Sequence, residues 1–473
     1  MGKLFGTNGV RGFANQDMDA QLALKLGLAL GTHLKAGETV LVGRDTRTSG
    51  PMLVAALAAG LQSCGVHVRD AGVVPTPALQ LRVKESRGRL AAGAQRAEGS
   101  SAPSQGFAAG AVVTASHNPP EFNGIKFIDP DGTEMRSDRE DAIEAVFFAD
   151  VFRKAGWADI GTIAPEPGVN EAYVDAIVAK VDVEAIRRAK LTIALDTSNG
   201  AGGLTAPYLL RRLGVHVVTL NAQPDGTFPG HPSEPTPENV KDLVASVRAF
   251  GANLGVVQDG DADRCVFIDE TGAFVDGNRT LALMAGNVVA QRKGGLVVTP
   301  VSSSGIIEEH VKAKGGRVAY TRVGAPVVAR HMKDHGAVVG GEENGGIIWP
   351  EFQHCRDASM TLARVVELIA TSGRPLSALL AELPTAASVK KKVECPNDRK
   401  QKALDAFAKA HAKDRVDATD GVKVYMSDGW VLVRPSGTEP IFRVYAEAKT
   451  PDAAEALATR SLAEIRQIIA AAK

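Results

Sequence analysis

TVLVGRDTRTSGPMLVAALAAGLQSCGVHVRDAG, residues 39–72, is the stretch from which the fold is read. A β-branched run opens it and a Thr/Ser/Gly turn follows. An apolar stripe at helical spacing, a glycine and a second short β run complete it. The same order recurs in LTIALDTSNGAGGLTAPYLLRRLGVHVVTLNA (191–222) and in GLVVTPVSSSGIIEEHVKAKGGRVAYTRVG (295–324). Gly-Val-His-Val closes the first two, at 65–68 and 214–217, and Gly316-Arg317-Val318 is a weaker third version. Strand–turn–helix–glycine–strand is a βαβ unit, whose crossover helix buries an apolar stripe on a parallel sheet. Copies about 100–150 residues apart specify three related α/β domains rather than a solenoid.

The end of the chain reads differently. KQKALDAFAKAHAKD (400–414) has an amphipathic helix pattern. VKVYMSDGWVLVRPSGTEPIFRVYAEAKT (422–450) reads as a hairpin with a Ser-Asp-Gly turn, followed by strand–loop–strand. The segment 451–473 opens on proline and continues as a helix. The expected architecture is three related α/β domains with mixed sheets plus a smaller C-terminal α+β domain, divided 1–170, 171–275, 276–385 and 386–473. Residues 84–109, rich in Ala, Gly, Ser and Gln with Phe107 as their single aromatic, read as a long mobile loop, with room for a short surface helix across 89–98.

Composition limits the classes of function. Lys plus Arg and Asp plus Glu each total 54 of 473 residues, so no net field draws the chain to nucleic acid or to an anionic membrane. No apolar run reaches the roughly 20 residues a spanning helix needs, and the N-terminus lacks a signal-peptide core; a cytoplasmic enzyme is expected. Cys64, Cys265, Cys355 and Cys395 are scattered without a CxxC pair, as idle thiols in a reducing compartment would be.

Four constellations carry chemistry. In DGDADR (259–264), strand-like runs flank Asp259, Asp261 and Asp263. Three carboxylates on one tight loop repel unless a cation sits among them, and oxygen-only ligands favour Mg²⁺, Mn²⁺ or Ca²⁺; the bland reading is a solvated acidic turn. An EF-hand is excluded because Arg264 stands where the sharp-turn glycine belongs. In TASHNPPEFNGIK (114–126), read as turn-rich throughout, Ser116 is the candidate nucleophile, or else merely part of a polar turn before Pro119-Pro120. Arg11, His117, Lys126 and Arg264 are the cations available to balance a phosphorylated serine beside three carboxylates, and Lys126 can serve as general acid or base. RPSGTEP (434–440) offers Arg434, Ser436, Gly437 and Thr438, with Arg443 beyond, as a phosphate nest or an ordinary turn. GGEENGG (340–346) sets Glu342, Glu343 and Asn344 between glycines, suited to sugar hydroxyls or to an acidic surface turn.

In their order along the chain, TASHNPP, DGDADR, GEENGG and RPSGTEP, the four loops resemble those of the α-D-phosphohexomutases, across nearly the whole chain. LFGTNGVRG (4–12) resembles the phosphoglucosamine mutase branch, and the GEENGG and DGDADR variants resemble its archaeal members. The resemblance implies four domains around a central cleft. It implies a phosphorylated Ser116 completing an Mg²⁺ site with Asp259, Asp261 and Asp263, and Lys126 and His117 handling protons or charge. Arg11 and Arg264 would steady the transferring phosphoryl group. Glu342 and Asn344 would grip sugar hydroxyls, and Arg434, Ser436, Gly437 and Thr438, with Arg443 nearby, would hold the non-reacting phosphate. It implies an isomerase that interconverts glucosamine 6-phosphate and glucosamine 1-phosphate, with a sugar 1,6-bisphosphate as intermediate and activator. The partners would be small sugar phosphates, on a monomer or homodimer. A broad phosphoglucomutase/phosphomannomutase, a metal-dependent phosphatase and a sugar-phosphate sensor are the alternatives. Two features depart from the family: the longer 84–109 spacer, and Ala358 where a glycine is common, which could displace its loop.

Overall fold

The computed structural model describes residues 4–6, 9–91, 106–436 and 439–471. These fall into two units. One contains residues up to Gly277 together with Asn344–Leu379, and the other contains Asn278–Glu343 and the chain from Leu380 onward.

Each repeat builds the unit its pattern specifies. In the first, strands Thr39–Arg44 and His67–Val73 pair in parallel across helix Gly50–Ser63. In the second, Thr192–Asp196 and His216–Leu220 pair across helix Ala206–Arg212. In the third, Leu296–Pro300 and Arg317–Thr321 pair across helix Gly305–Ala313. The glycines that end these helices take left-handed backbone: Gly65 at φ 74°, Gly214 at φ 80° and Gly315 at φ 85°. The third stop is therefore Gly315, one residue before the glycine picked out by the sequence pattern, because only Gly315 has the positive φ that reverses the chain.

Around these cores the sheets are mixed. Val10–Phe13 and Phe122–Ile128 run antiparallel to their neighbours in a six-stranded sheet whose remaining strands are parallel. Leu254–Gln258 extends the second sheet in parallel, and Cys265–Ile268 folds back on it. The third α/β region gives the second unit Val339–Gly341, parallel to Leu296–Pro300, and gives the first unit the antiparallel hairpin Ile347–Trp349/Gln353–Arg356. The C-terminal sheet is antiparallel throughout and is covered by helices Lys400–Ala410 and Pro451–Ala471.

Two sequence expectations need correction. Helix Thr76–Ala91 takes in residues 84–91, and Phe107 is fully buried with its N–H on Ser86 Oγ at 3.0 Å, so both ends of the expected loop are anchored. Residues 92–105, with most of the expected surface helix, lie outside the described residues. Lys126 is not in a turn: it sits on strand Phe122–Ile128, with its side chain in the interior.

Candidate active site

Ser116 lies in the loop between strands Ala109–Val113 and Phe122–Ile128, at φ 54°. A side chain in left-handed backbone costs of order 1 kcal/mol and persists only where the surroundings impose it. Arg47 supplies that constraint. This wholly buried residue donates from Nη2 to the carbonyls of Ser116 (2.8 Å) and Asn118 (2.6 Å), and from Nη1 to those of Pro119 and Phe122 (2.8 Å). Asp45 accepts Arg47 Nε at 3.1 Å and Thr114 Oγ1 at 2.6 Å, while Thr114 Oγ1 accepts the Ser116 N–H at 2.8 Å. The loop that presents the serine is thus held by one guanidinium and one carboxylate from the first crossover turn.

Ser116 Oγ donates to Asp259 Oδ2 at 2.7 Å. Asp259, Asp261 and Asp263 sit on the bend between strands Leu254–Gln258 and Cys265–Ile268, all buried, each with an oxygen within 4.8 Å of the others. The two loops meet at Gly260, where a Cβ would approach the Ser116 carbonyl to 2.8 Å. Thr76 Oγ1 donates to Asp261 Oδ2 at 2.7 Å, Lys126 Nζ lies 3.1 Å from the same oxygen and 3.7 Å from Asp263 Oδ2, and Arg356 pairs with Asp263. Asp261 Oδ1 and Asp263 Oδ1 are buried with no hydrogen-bond partner. Carboxylate oxygens left so in a dry interior are costly unless a cation takes them, and the all-oxygen set fits Mg²⁺.

The electrostatics agree. Burial, then Asp263 and Asp261, push Asp259 well above the usual carboxylate range. Burial also works against Asp261, but Lys126, the Thr76 hydrogen bond and Arg356 hold it below that range. Arg11 is pulled down by burial and by Arg264, with Asp261 and Asp263 opposing. His117, its Nδ1 3.4 Å from Ser116 Oγ, is pushed down to about 2 by burial and by Arg264, Arg11 and Arg356. Burial and the three neighbouring arginines thus disfavour a charged imidazole at this position. Arg11, Lys126, Arg264 and Arg356 form the positive surround of the serine and the three carboxylates.

Asn344 belongs to the same unit, its Oδ1 accepting the Gly346 N–H at 3.2 Å. The second unit holds the other binding candidates. Glu342 Oε1 accepts the Gly324 N–H at 3.2 Å. Arg434 closes strand Gly429–Pro435 with its Nε on Asp420 Oδ2 at 2.6 Å, and Arg443 lies exposed, 3.3 Å from Glu439. Ser436 is buried, and Lys400 Nζ clamps its loop through the carbonyls of Ser436 and Glu439, both at 2.6 Å. Gly437 and Thr438 lie outside the described residues. Ala358 is accommodated as the first residue of helix Ala358–Ser372, capped by Asp357, with its N–H on the Ala262 carbonyl at 3.3 Å.

Sequence reasoning missed Arg47, Thr76, Arg356 and Lys400. A signal existed for Arg47: an Asp-x-Arg directly after an apolar strand puts charges where the chain turns inward. Arg356 was in view only as a neighbour of Ala358.

Four successive models of the phosphoglucomutase/phosphomannomutase family match the chain: α/β/α domain I over residues 2–154, domain II over 171–272, domain III over 276–387 and the C-terminal domain over 391–464. The chain is 46% identical over 459 residues to a phosphoglucomutase/phosphomannomutase of Thermococcus kodakarensis, covering 96% of each. It is 40% identical over 471 residues to a probable phosphoglucosamine mutase of Methanopyrus kandleri, covering 99% of each. Among solved structures, a phosphoglucomutase/phosphomannomutase family protein from Burkholderia thailandensis superposes with a TM-score of 0.82 at 30% identity, over 100% of this chain and 98% of that one.

Proposed function

Because the chain belongs to the phosphoglucomutase/phosphomannomutase family, within the α-D-phosphohexomutases, we propose that it interconverts glucosamine 6-phosphate and glucosamine 1-phosphate through a phosphorylated Ser116. The coarser statement needs no proposal: it is an isomerase that moves phosphoryl groups on hexose or hexosamine phosphates. The observation that carries the phosphoserine route is Ser116 Oγ hydrogen-bonded to a metal-type carboxylate, beside two buried carboxylate oxygens that lack hydrogen-bond partners and four cationic side chains.

In this cycle the phosphoryl group leaves Ser116 for the free sugar hydroxyl, and the O–P bond to serine breaks as the bond to the sugar forms. The 1,6-bisphosphate then turns over and returns its other phosphate to Ser116. Little covalent work falls to the protein, so positioning and charge account for most of the rate. The proton lost by the sugar hydroxyl is matched by one gained by the departing Ser116 oxygen; His117, 3.4 Å from Ser116 Oγ, and Lys126, between two carboxylates, would handle those protons or the developing charge. Mg²⁺ held by Asp259, Asp261, Asp263 and an oxygen on Ser116 would supply positive charge facing the transferring group. Glu342 and Asn344 would take sugar hydroxyls, and the 434–438 loop with Arg443 the resting phosphate.

Sugar preference rests on the N-terminal and loop variants and on the relative named for glucosamine. The relative at 46% identity favours a second reading, a broad phosphoglucomutase/phosphomannomutase. Initial rates with glucosamine, glucose and mannose 6-phosphates, each with Mg²⁺ and a trace of 1,6-bisphosphate, separate them. A kcat/KM highest for the glucosamine compound supports the proposal. Equal or higher values for the others establish the broad enzyme, and release of inorganic phosphate without isomerisation establishes a phosphatase.

A further inference from the structure

Asp420 lies in the turn between strands Arg415–Asp417 and Val422–Met426, outside every motif the sequence singles out. Its Oδ2 accepts two hydrogen bonds, from Arg434 Nε at 2.6 Å and from the Val323 N–H at 3.0 Å. The next N–H along, that of Gly324, goes to Glu342 Oε1 at 3.2 Å. Two successive amides of one loop therefore grip two carboxylates, of which one carries Arg434 and the other is Glu342. The turn is built to reach: Gly421 stands at φ 85°, and a Cβ there would lie 2.3 Å from the Val433 carbonyl and 2.9 Å from Arg434 Cα. The Asp420 and Arg434 side chains are each 16% exposed, so the pair is shielded enough to hold its geometry.

We propose that Asp420 is the positioning residue for phosphate binding: it fixes the plane of Arg434 and ties that guanidinium, through the Val323–Gly324 amides, to Glu342. An Arg held by Nε keeps its two-nitrogen outer edge for a planar, bidentate anion contact. One carboxylate thereby sets the distance between the group that takes the substrate's phosphate and the group that takes its sugar hydroxyls. This rests on the proposed sugar-phosphate reading of the two loops.

The test is a double-mutant cycle on KM for the sugar 6-phosphate, with Asp420→Ala, Arg434→Ala and both together, each checked for folding by circular dichroism. Asp420→Ala is expected to raise KM roughly 10-fold, with kcat within about threefold, as loss of a charge-assisted contact would. On the Arg434→Ala background the same change should add little, because its target is gone. Multiplicative effects in the double variant, or an unchanged KM in Asp420→Ala, overturn the proposal. Asp420→Asn serves if the alanine variant is unfolded, with the same expected direction and the same non-additivity. Failure of the sugar-phosphate reading itself is distinct, since the unmodified protein would then convert none of the substrates.

Discussion

Ser116 and Arg47 show how far single residues can be read. The serine was visible because a hydroxyl, a histidine and two prolines share one short segment. Arg47 was not, because its role consists of contacts 69 to 75 residues away, to the carbonyls of a loop it shares no pattern with. Thr76 and Arg356 were missed for the same reason: a one-dimensional pattern shows residue types and spacing, not which side chain a fold brings beneath a carboxylate. Ser116→Ala is expected to abolish turnover with an unchanged circular dichroism spectrum; turnover at the original rate would remove the phosphoserine from the account. Asp261→Asn should raise the Mg²⁺ concentration needed for half-maximal activity by 10-fold or more, of the order expected when a charged ligand oxygen is lost. An unmoved metal titration would place the metal elsewhere. Arg47→Met would leave buried carbonyls without donors, at about 1–3 kcal/mol each, and should lower the urea midpoint together with activity.

The βαβ repeats were legible as elements because strand, turn, helix and left-handed glycine recur in order, and each physical requirement leaves its own residue type. Residues 84–91 read as loop because KESRGR carries no apolar stripe, whereas they continue helix Thr76–Ala91, which is held by what it packs on rather than by propensity. Strand Ala387–Glu394, at the edge of the C-terminal sheet, was missed because its lysine run hides the alternation, although that charge suits an edge strand. Helices Ala20–His33 and Gly50–Ser63 cross at two glycines: a Cβ on Gly27 would lie 2.2 Å from the Leu57 carbonyl, and one on Gly60 would lie 2.4 Å from that of Leu24. Gly27→Val should therefore destabilise the first unit by about 2–3 kcal/mol, read as a lower urea midpoint, with KM unchanged in the folded fraction. An unshifted midpoint would mean the helices separate freely.

At the scale of the whole molecule, stability carries a pH signature that no motif announces. Lys423 is almost fully buried, with Nζ 3.7 Å from the centre of the Trp430 ring and 2.8 Å from the Val301 carbonyl it donates to. Burial pushes its ammonium down to about 8 from 10.5, with Glu447 and Asp417 opposing. Below about pH 8 the group is charged in folded and unfolded chains alike, and the cost of burying it is fully present. Between about 8 and 10.5 the folded chain releases its proton first, so Lys423 contributes stability that rises with pH. Relative to Lys423→Met, the unmodified protein should gain a few degrees in Tm across that window; parallel pH profiles would contradict this. Among the described residues no helix is long and apolar enough to cross a membrane.

The most direct measurement is phosphoryl transfer to Ser116 itself. The protein is incubated with Mg²⁺ and a sugar 1,6-bisphosphate labelled in its phosphates, then divided between peptide mapping and a chase with unlabelled glucosamine 6-phosphate. The account predicts label on the peptide containing Ser116, none in Ser116→Ala, and recovery of that label in sugar phosphate during the chase. Label on another residue, or its loss as inorganic phosphate without passing to sugar, would contradict it.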